Sequence, residues 1–123
     1  KFNFRFCTAS TAQSLRERTE SILRKHGLDF DVHWDLSGEP FVTPAGKLRA
    51  AVEEATKSIC GIIPKADTGG GTSDARFIAP LGAEVVEVGP VNASIHKIDE
   101  HIALDELERL PALYAAITDA LMR

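Results

Sequence analysis

Cysteine, bulky aromatics and excess positive charge are all scarce in this chain. Among 123 residues there are two cysteines, one tryptophan, one tyrosine and one methionine. Cys7 and Cys60 lie far apart and form no Cys-x-x-Cys pair, which argues against a disulfide-stapled scaffold and fits a reducing cytoplasm. No apolar run reaches the roughly 18 residues of a membrane span, so a membrane partner is not expected. Lys and Arg number 14 against 18 Asp and Glu, and the resulting charge of −4 leaves no electrostatic footprint for nucleic acid or anionic lipid. An initiating methionine is also missing. Residue 1 is Lys, and Phe2-Asn3-Phe4-Arg5-Phe6 alternates at once, as though the chain opens inside a strand of a longer parent.

What remains is ordinary globular composition, 44% hydrophobic and 26% charged, arranged in clear periods. The alternation at Phe2, Phe4 and Phe6 predicts a strand with Arg5 on its other face. Ser10 and Gln13 have capping-box spacing, and the apolar positions that follow predict a helix from Thr11 to His26, stopped by Gly27. Period two returns from Leu28 to Leu36, with Leu28, Phe30, Val32, Trp34 and Leu36 inward and Asp29, Asp31, His33 and Asp35 outward. Strand, helix, strand reads as one βαβ crossover. Ser37-Gly38-Glu39-Pro40 then breaks the pattern and marks a hinge. A second helix is expected from Pro44 to Ile59 with Thr43 as its N-cap, a short helical piece at 75–79, a buried strand at 83–88, and a final helix from Leu104 to Met122 that Pro111 kinks or interrupts.

Two places carry chemical interest. Gly69-Gly70-Gly71 adds nothing to a core, and its amides together with Thr72, Ser73 and Arg76 suit an anion; the alternative is a plain surface turn. No P-loop lysine and no GxGxxG spacing accompany it, which disfavours nucleotide binding. His96 lies in a loop beyond a strand end, where α/β domains place ligand-binding groups, yet no HxH, HExxH or His-Cys motif completes a zinc site around it. His26 and His33 read as surface residues, and His101 is open between the two readings. No serine or cysteine has the surroundings of an activated nucleophile, and the carboxylates of 29–35 read as a solvated face.

Taken in order, Phe2–Phe6, Trp34–Phe41, Thr68–Phe77, Gly89–Asn92 and Ile95–Glu100 resemble the di-zinc aminoacylase and carboxypeptidase family, in its desuccinylase-like form. The resemblance spans essentially the whole chain. It implies an α/β architecture: residues 1–42 as the second, βαβ half of a ferredoxin-like lid and dimerisation domain, and 43–123 as the C-terminal part of a zinc-peptidase-like catalytic domain. It implies a zinc amide hydrolase, a cytoplasmic homodimer converting N-succinyl-LL-2,6-diaminopimelate and water to succinate and LL-2,6-diaminopimelate in lysine and diaminopimelate biosynthesis. Two zinc ions, or cobalt, would serve each active site, with His96 as one ligand. Arg5, Ser37, Gly71, Thr72, Arg76 and Asn92 match positions that bind the substrate's carboxylates and amide. The family's other metal ligands and its general-base glutamate match nothing here, so no catalytic residue is expected in this piece, and alone it should be inactive. Alternatives are an acetylornithine deacetylase or another aminoacylase of the family, or a non-catalytic anion-binding and dimerisation module.

Overall fold

The computed structural model describes residues 1–69, 71, 73–91 and 93–123. Its helices are α1 (Ala12–Lys25), α2 (Lys47–Cys60), α3 (Ala75–Ile78) and α4 (Leu104–Leu121), with a 3-10 turn, Ala79–Leu81, directly after α3. The chain divides into two compact units, one made of Lys1–Val42 with Thr72–Gly82 and the other of Thr43–Gly71 with Ala83–Arg123.

In the first unit, α1 begins at a reciprocal cap. The Thr11 hydroxyl accepts the Ser14 N–H at 3.0 Å, and the Ser14 hydroxyl accepts the Thr11 N–H at 3.1 Å. The cap therefore sits one residue beyond the expected Ser10–Gln13 pair. The Ser10 N–H is committed to a turn onto the Cys7 carbonyl at 3.0 Å, and the Gln13 amide donates to Glu17 at 2.6 Å. Gly27, at φ 66°, ends the helix in the left-handed region, as its sequence position suggested. Trp34 organises the packing: its ring centroid lies 5.8 Å from Phe2 and 6.3 Å from Phe4, Arg16 sits 5.9 Å from it, and its indole N–H donates to Glu20 of α1 at 3.1 Å. Segments 1–6 and 31–38 together with α1 bound a groove of about 510 Å³.

The expected βαβ lid is corrected by this arrangement. Among the described residues there is no strand, at 2–6, at 28–36 or at 83–88. The alternation holds at its centre, where Phe30, Val32 and Trp34 are half-buried while Asp29, Asp31, His33 and Asp35 are exposed. It fails at its ends, where Leu28 and Leu36, expected inward, are more than half exposed because nothing packs over them. Period two specifies which side chains turn inward; a strand also needs a neighbour whose N–H and C=O groups complete a ladder, and two extended segments by themselves are marginal. Here one face is satisfied by packing on α1 with no ladder formed.

The second unit has a small closed core of Ala51, Val52 and Ala55 from α2 with Leu113 and Ile117 from α4. Ala51 and Ala55, four apart, share one helix face and present little bulk to α4. Helix α4 runs unbroken through Pro111, because the turns beyond it are held against α2 by Leu113 and Ile117. Helix α2 starts later than its sequence suggests. The Thr43 hydroxyl, the expected cap, donates to the Val85 carbonyl instead, and the helix begins after Gly46 with the Glu84 carboxylate accepting the Leu48 N–H at 3.0 Å. Segment 83–88 is tied down at its far end by the Tyr114 hydroxyl, which donates to the Val88 carbonyl at 3.1 Å.

Much apolar surface stays in water. A folded monomer of 13.3 kDa exposes roughly 6,500 Å² and two separate bodies of half that mass about 7,800 Å², whereas this chain exposes 9,916 Å². Ile63, Leu81, Ile98 and Met122 are all more than four-fifths exposed. Large apolar residues left open to this degree are suited to further covering contacts.

Candidate functional site

The residues singled out by the sequence fall into both units. Arg5, Ser37 and Arg76 belong to the first, Gly71 and His96 to the second. Gly70, Thr72 and Asn92 lie outside the described residues.

In the first unit, Arg5 is exposed on its extended segment, and Ser37 is exposed at the end of the Trp34 segment. Arg76 occupies the second position of α3, where the Ser73 hydroxyl accepts the Ala75 N–H at 3.1 Å. Its side chain is half-buried. The stem lies against Gly38, so closely that a Cβ there would stand 2.8 Å from the arginine Cδ, and the guanidinium carbon lies 4.7 Å from the Phe77 ring. Ser37 and Arg76, 39 positions apart in the chain, are thus brought to neighbouring places through Gly38. The sequence marked Gly38 as a hinge. Its close approach to Arg76 has no local signal, because the contact joins distant segments.

In the second unit, the glycine loop begins with an Asx turn. The Gly69 N–H donates to the Asp67 carboxylate at 3.0 Å, so that amide already has an internal anion. Gly71 is exposed. His96 sits on a loop cross-linked by its own side chains. The Ser94 hydroxyl donates to the His101 carbonyl at 2.7 Å and accepts the His101 N–H at 3.1 Å, while Lys97 Nζ donates to the Ala93 carbonyl at 2.6 Å. Within it His96 and Asp99 adopt φ of 60° and 61°, the left-handed region that non-glycine residues seldom occupy. The His96 N–H donates to the Glu100 carboxylate at 3.3 Å. The imidazole is exposed. A strained residue presented on a braced loop is a feature that functional sites often show.

Chemically, the first unit offers two guanidinium groups and a hydroxyl, and the second an exposed glycine and an imidazole. Among the described residues no three His, Cys, Asp or Glu side chains gather where a metal ion could be held. The described donors therefore do not make up a metal site by themselves.

The model of peptidase family M20/M25/M40 matches residues 6–120. The chain belongs to that family. The resemblance carried by the glycine loop and the His96 segment is thereby borne out, and membership of the M20/M25/M40 family fits a zinc-peptidase-like catalytic fold. Relatives within the family are close. The chain is 53% identical over 121 residues to a succinyl-diaminopimelate desuccinylase of Methylococcus capsulatus, 52% to one of Xylella fastidiosa and 50% to one of Alkalilimnicola ehrlichii. Each alignment covers 98% of this chain and 32% of the relative, so the chain spans about a third of the length of the curated relatives it matches. Among the described residues no helix is long and apolar enough to cross a membrane.

Proposed function

We propose that this chain is part of a metal-dependent amide hydrolase that releases succinate from N-succinyl-LL-2,6-diaminopimelate. One observation carries the reading: identity of 50–53% over nearly the whole chain to proteins named succinyl-diaminopimelate desuccinylase. Such a substrate carries several carboxylates, and a guanidinium fork matches a carboxylate in a bidentate manner. Arg76 and Arg5 would supply that recognition, with hydroxyls from Ser37 and Thr72, the amide of Asn92 and the backbone of Gly71 completing the contacts. His96 would contribute one imidazole to a zinc or cobalt site whose other ligands lie outside these residues. The chemistry a metal held there would supply is Lewis-acid polarisation of the amide carbonyl. Residues 1–42 would belong to the part that forms a homodimer and 43–123 to the catalytic part, in a cytoplasmic enzyme of lysine and diaminopimelate synthesis.

Kinetics of a full-length protein containing this chain test the reading. Arg76→Ala is expected to raise KM for the succinyl substrate by about tenfold to a hundredfold, the usual loss when a charge-assisted pair is removed. His96→Ala is expected to lower the bound metal content and to abolish most of kcat. Faster turnover of N-acetylornithine than of the succinyl substrate would assign the chain to another aminoacylase. Full metal content and activity in His96→Ala would remove the imidazole from the site.

A further inference from the structure

We infer that Gly38 is a positioning residue for Arg76, and through it a determinant of specificity for a dicarboxylate substrate. The inference rests on the function proposed above. Three of the other glycines show what a glycine is ordinarily needed for: Gly27, Gly61 and Gly82 have φ of 66°, 71° and 87°, and a Cβ at each would meet nothing within 4 Å. Their requirement is conformational. Gly38 is the reverse. It is not among the residues of positive φ, so its backbone is one that other residues adopt. Yet a Cβ there would lie 2.8 Å from Arg76 Cδ, 3.6 Å from Nε and 3.7 Å from Cγ. The first distance is well inside the 3.5–4.0 Å at which carbon atoms attract. The side chain missing at 38 is thus the space that the arginine stem fills.

That seating has consequences for the guanidinium. Arg76 Nε is shielded from solvent and has no hydrogen-bond partner within the protein, and it lies 3.6 Å from where a Cβ at 38 would stand. The guanidinium carbon rests 4.7 Å from the Phe77 ring. With stem and ring bounding it on two sides, the fork has less rotamer freedom left to lose when a carboxylate binds. A side chain at 38 must displace the arginine stem, and the fork that the stem carries moves with it.

Steady-state kinetics with N-succinyl-diaminopimelate, on a full-length protein containing this chain, test the inference in a double-mutant cycle. Gly38→Ala is expected to raise KM about tenfold while kcat stays within about twofold, a pattern of lost binding with the chemical step spared. In an Arg76→Ala background, Gly38→Ala is expected to have no further effect. A wild-type KM for Gly38→Ala beside a raised KM for Arg76→Ala overturns the inference and leaves the proposed function standing. An unchanged KM for Arg76→Ala overturns the substrate reading at this residue and the inference with it. Equal losses in kcat and KM, or additive effects in the double variant, also overturn it. Should Gly38→Ala fail to fold, the double variant decides: folding as well as Arg76→Ala supports a clash with the arginine stem, and failure to fold overturns it.

Discussion

In the second unit, α2 and α4 enclose a core in which Leu113 is 3% exposed and Ala55 4%, whereas in the first unit Ala75 is the one buried residue among those described and α1 buries none. Both units contain a well-formed amphipathic helix, so the difference does not arise from helix propensity. It arises from what each apolar face meets. Helix α2 meets another helix of matching periodicity, and small residues at 51 and 55 let the two approach. Helix α1 meets two extended segments, and the aromatic contacts of Phe2, Phe4 and Trp34 cover it in part, leaving Phe2 57% and Phe4 45% exposed. A helix pair closes on itself, while a half-layer of extended chain stays open until something else covers it.

The contrast can be broken most sharply at Leu113. Truncation to alanine removes a buried side chain and is expected to destabilise the second unit by about 3 kcal/mol. The single tryptophan, Trp34, reports on the first unit, and the single tyrosine, Tyr114, on the second. In Leu113→Ala the tyrosine signal in a denaturant titration should move to lower denaturant with the tryptophan signal unmoved; a common shift would mean that the units melt as one. A smaller effect is expected at Glu84, whose carboxylate caps α2 from a distant segment. Glu84→Ala should lower stability by about 1 kcal/mol, read from the tyrosine transition, and no change would show that water replaces the cap at no cost. Smallest is Thr11→Ala at the reciprocal cap of α1, with about 0.5–1 kcal/mol expected and read from the tryptophan transition. If that loss exceeded the Leu113 loss, the first unit would be the better-determined body and the comparison would be reversed.

The helices were legible because their signal is local. The apolar spacing that predicts a helix from Leu104 to Met122 describes α4, which runs Leu104–Leu121, and the Gly27 stop after α1 is where its left-handed φ appears. Among candidate site residues, the peculiarity of the glycine loop and of His96 was visible in composition and in position past a strand-like run. The left-handed backbone at His96 and its bond to Glu100 were not, because neither histidine nor glutamate marks such a conformation in sequence. The extended segments were misjudged as strands because alternation reports the environment of side chains and is silent on ladder partners.

Sequence alone settled the helical periods, the inward face of the segment around Trp34 and membership of a family through ordered motifs, since each depends on residues near one another or on their order. Tertiary structure decided the rest. The true start of α2 depends on Glu84, 36 positions from the amide it caps, and the place of Arg76 depends on a glycine slightly farther away in the chain. Contacts across such separations form where the backbone path brings two segments together, and no pattern read along the chain encodes the distance between them.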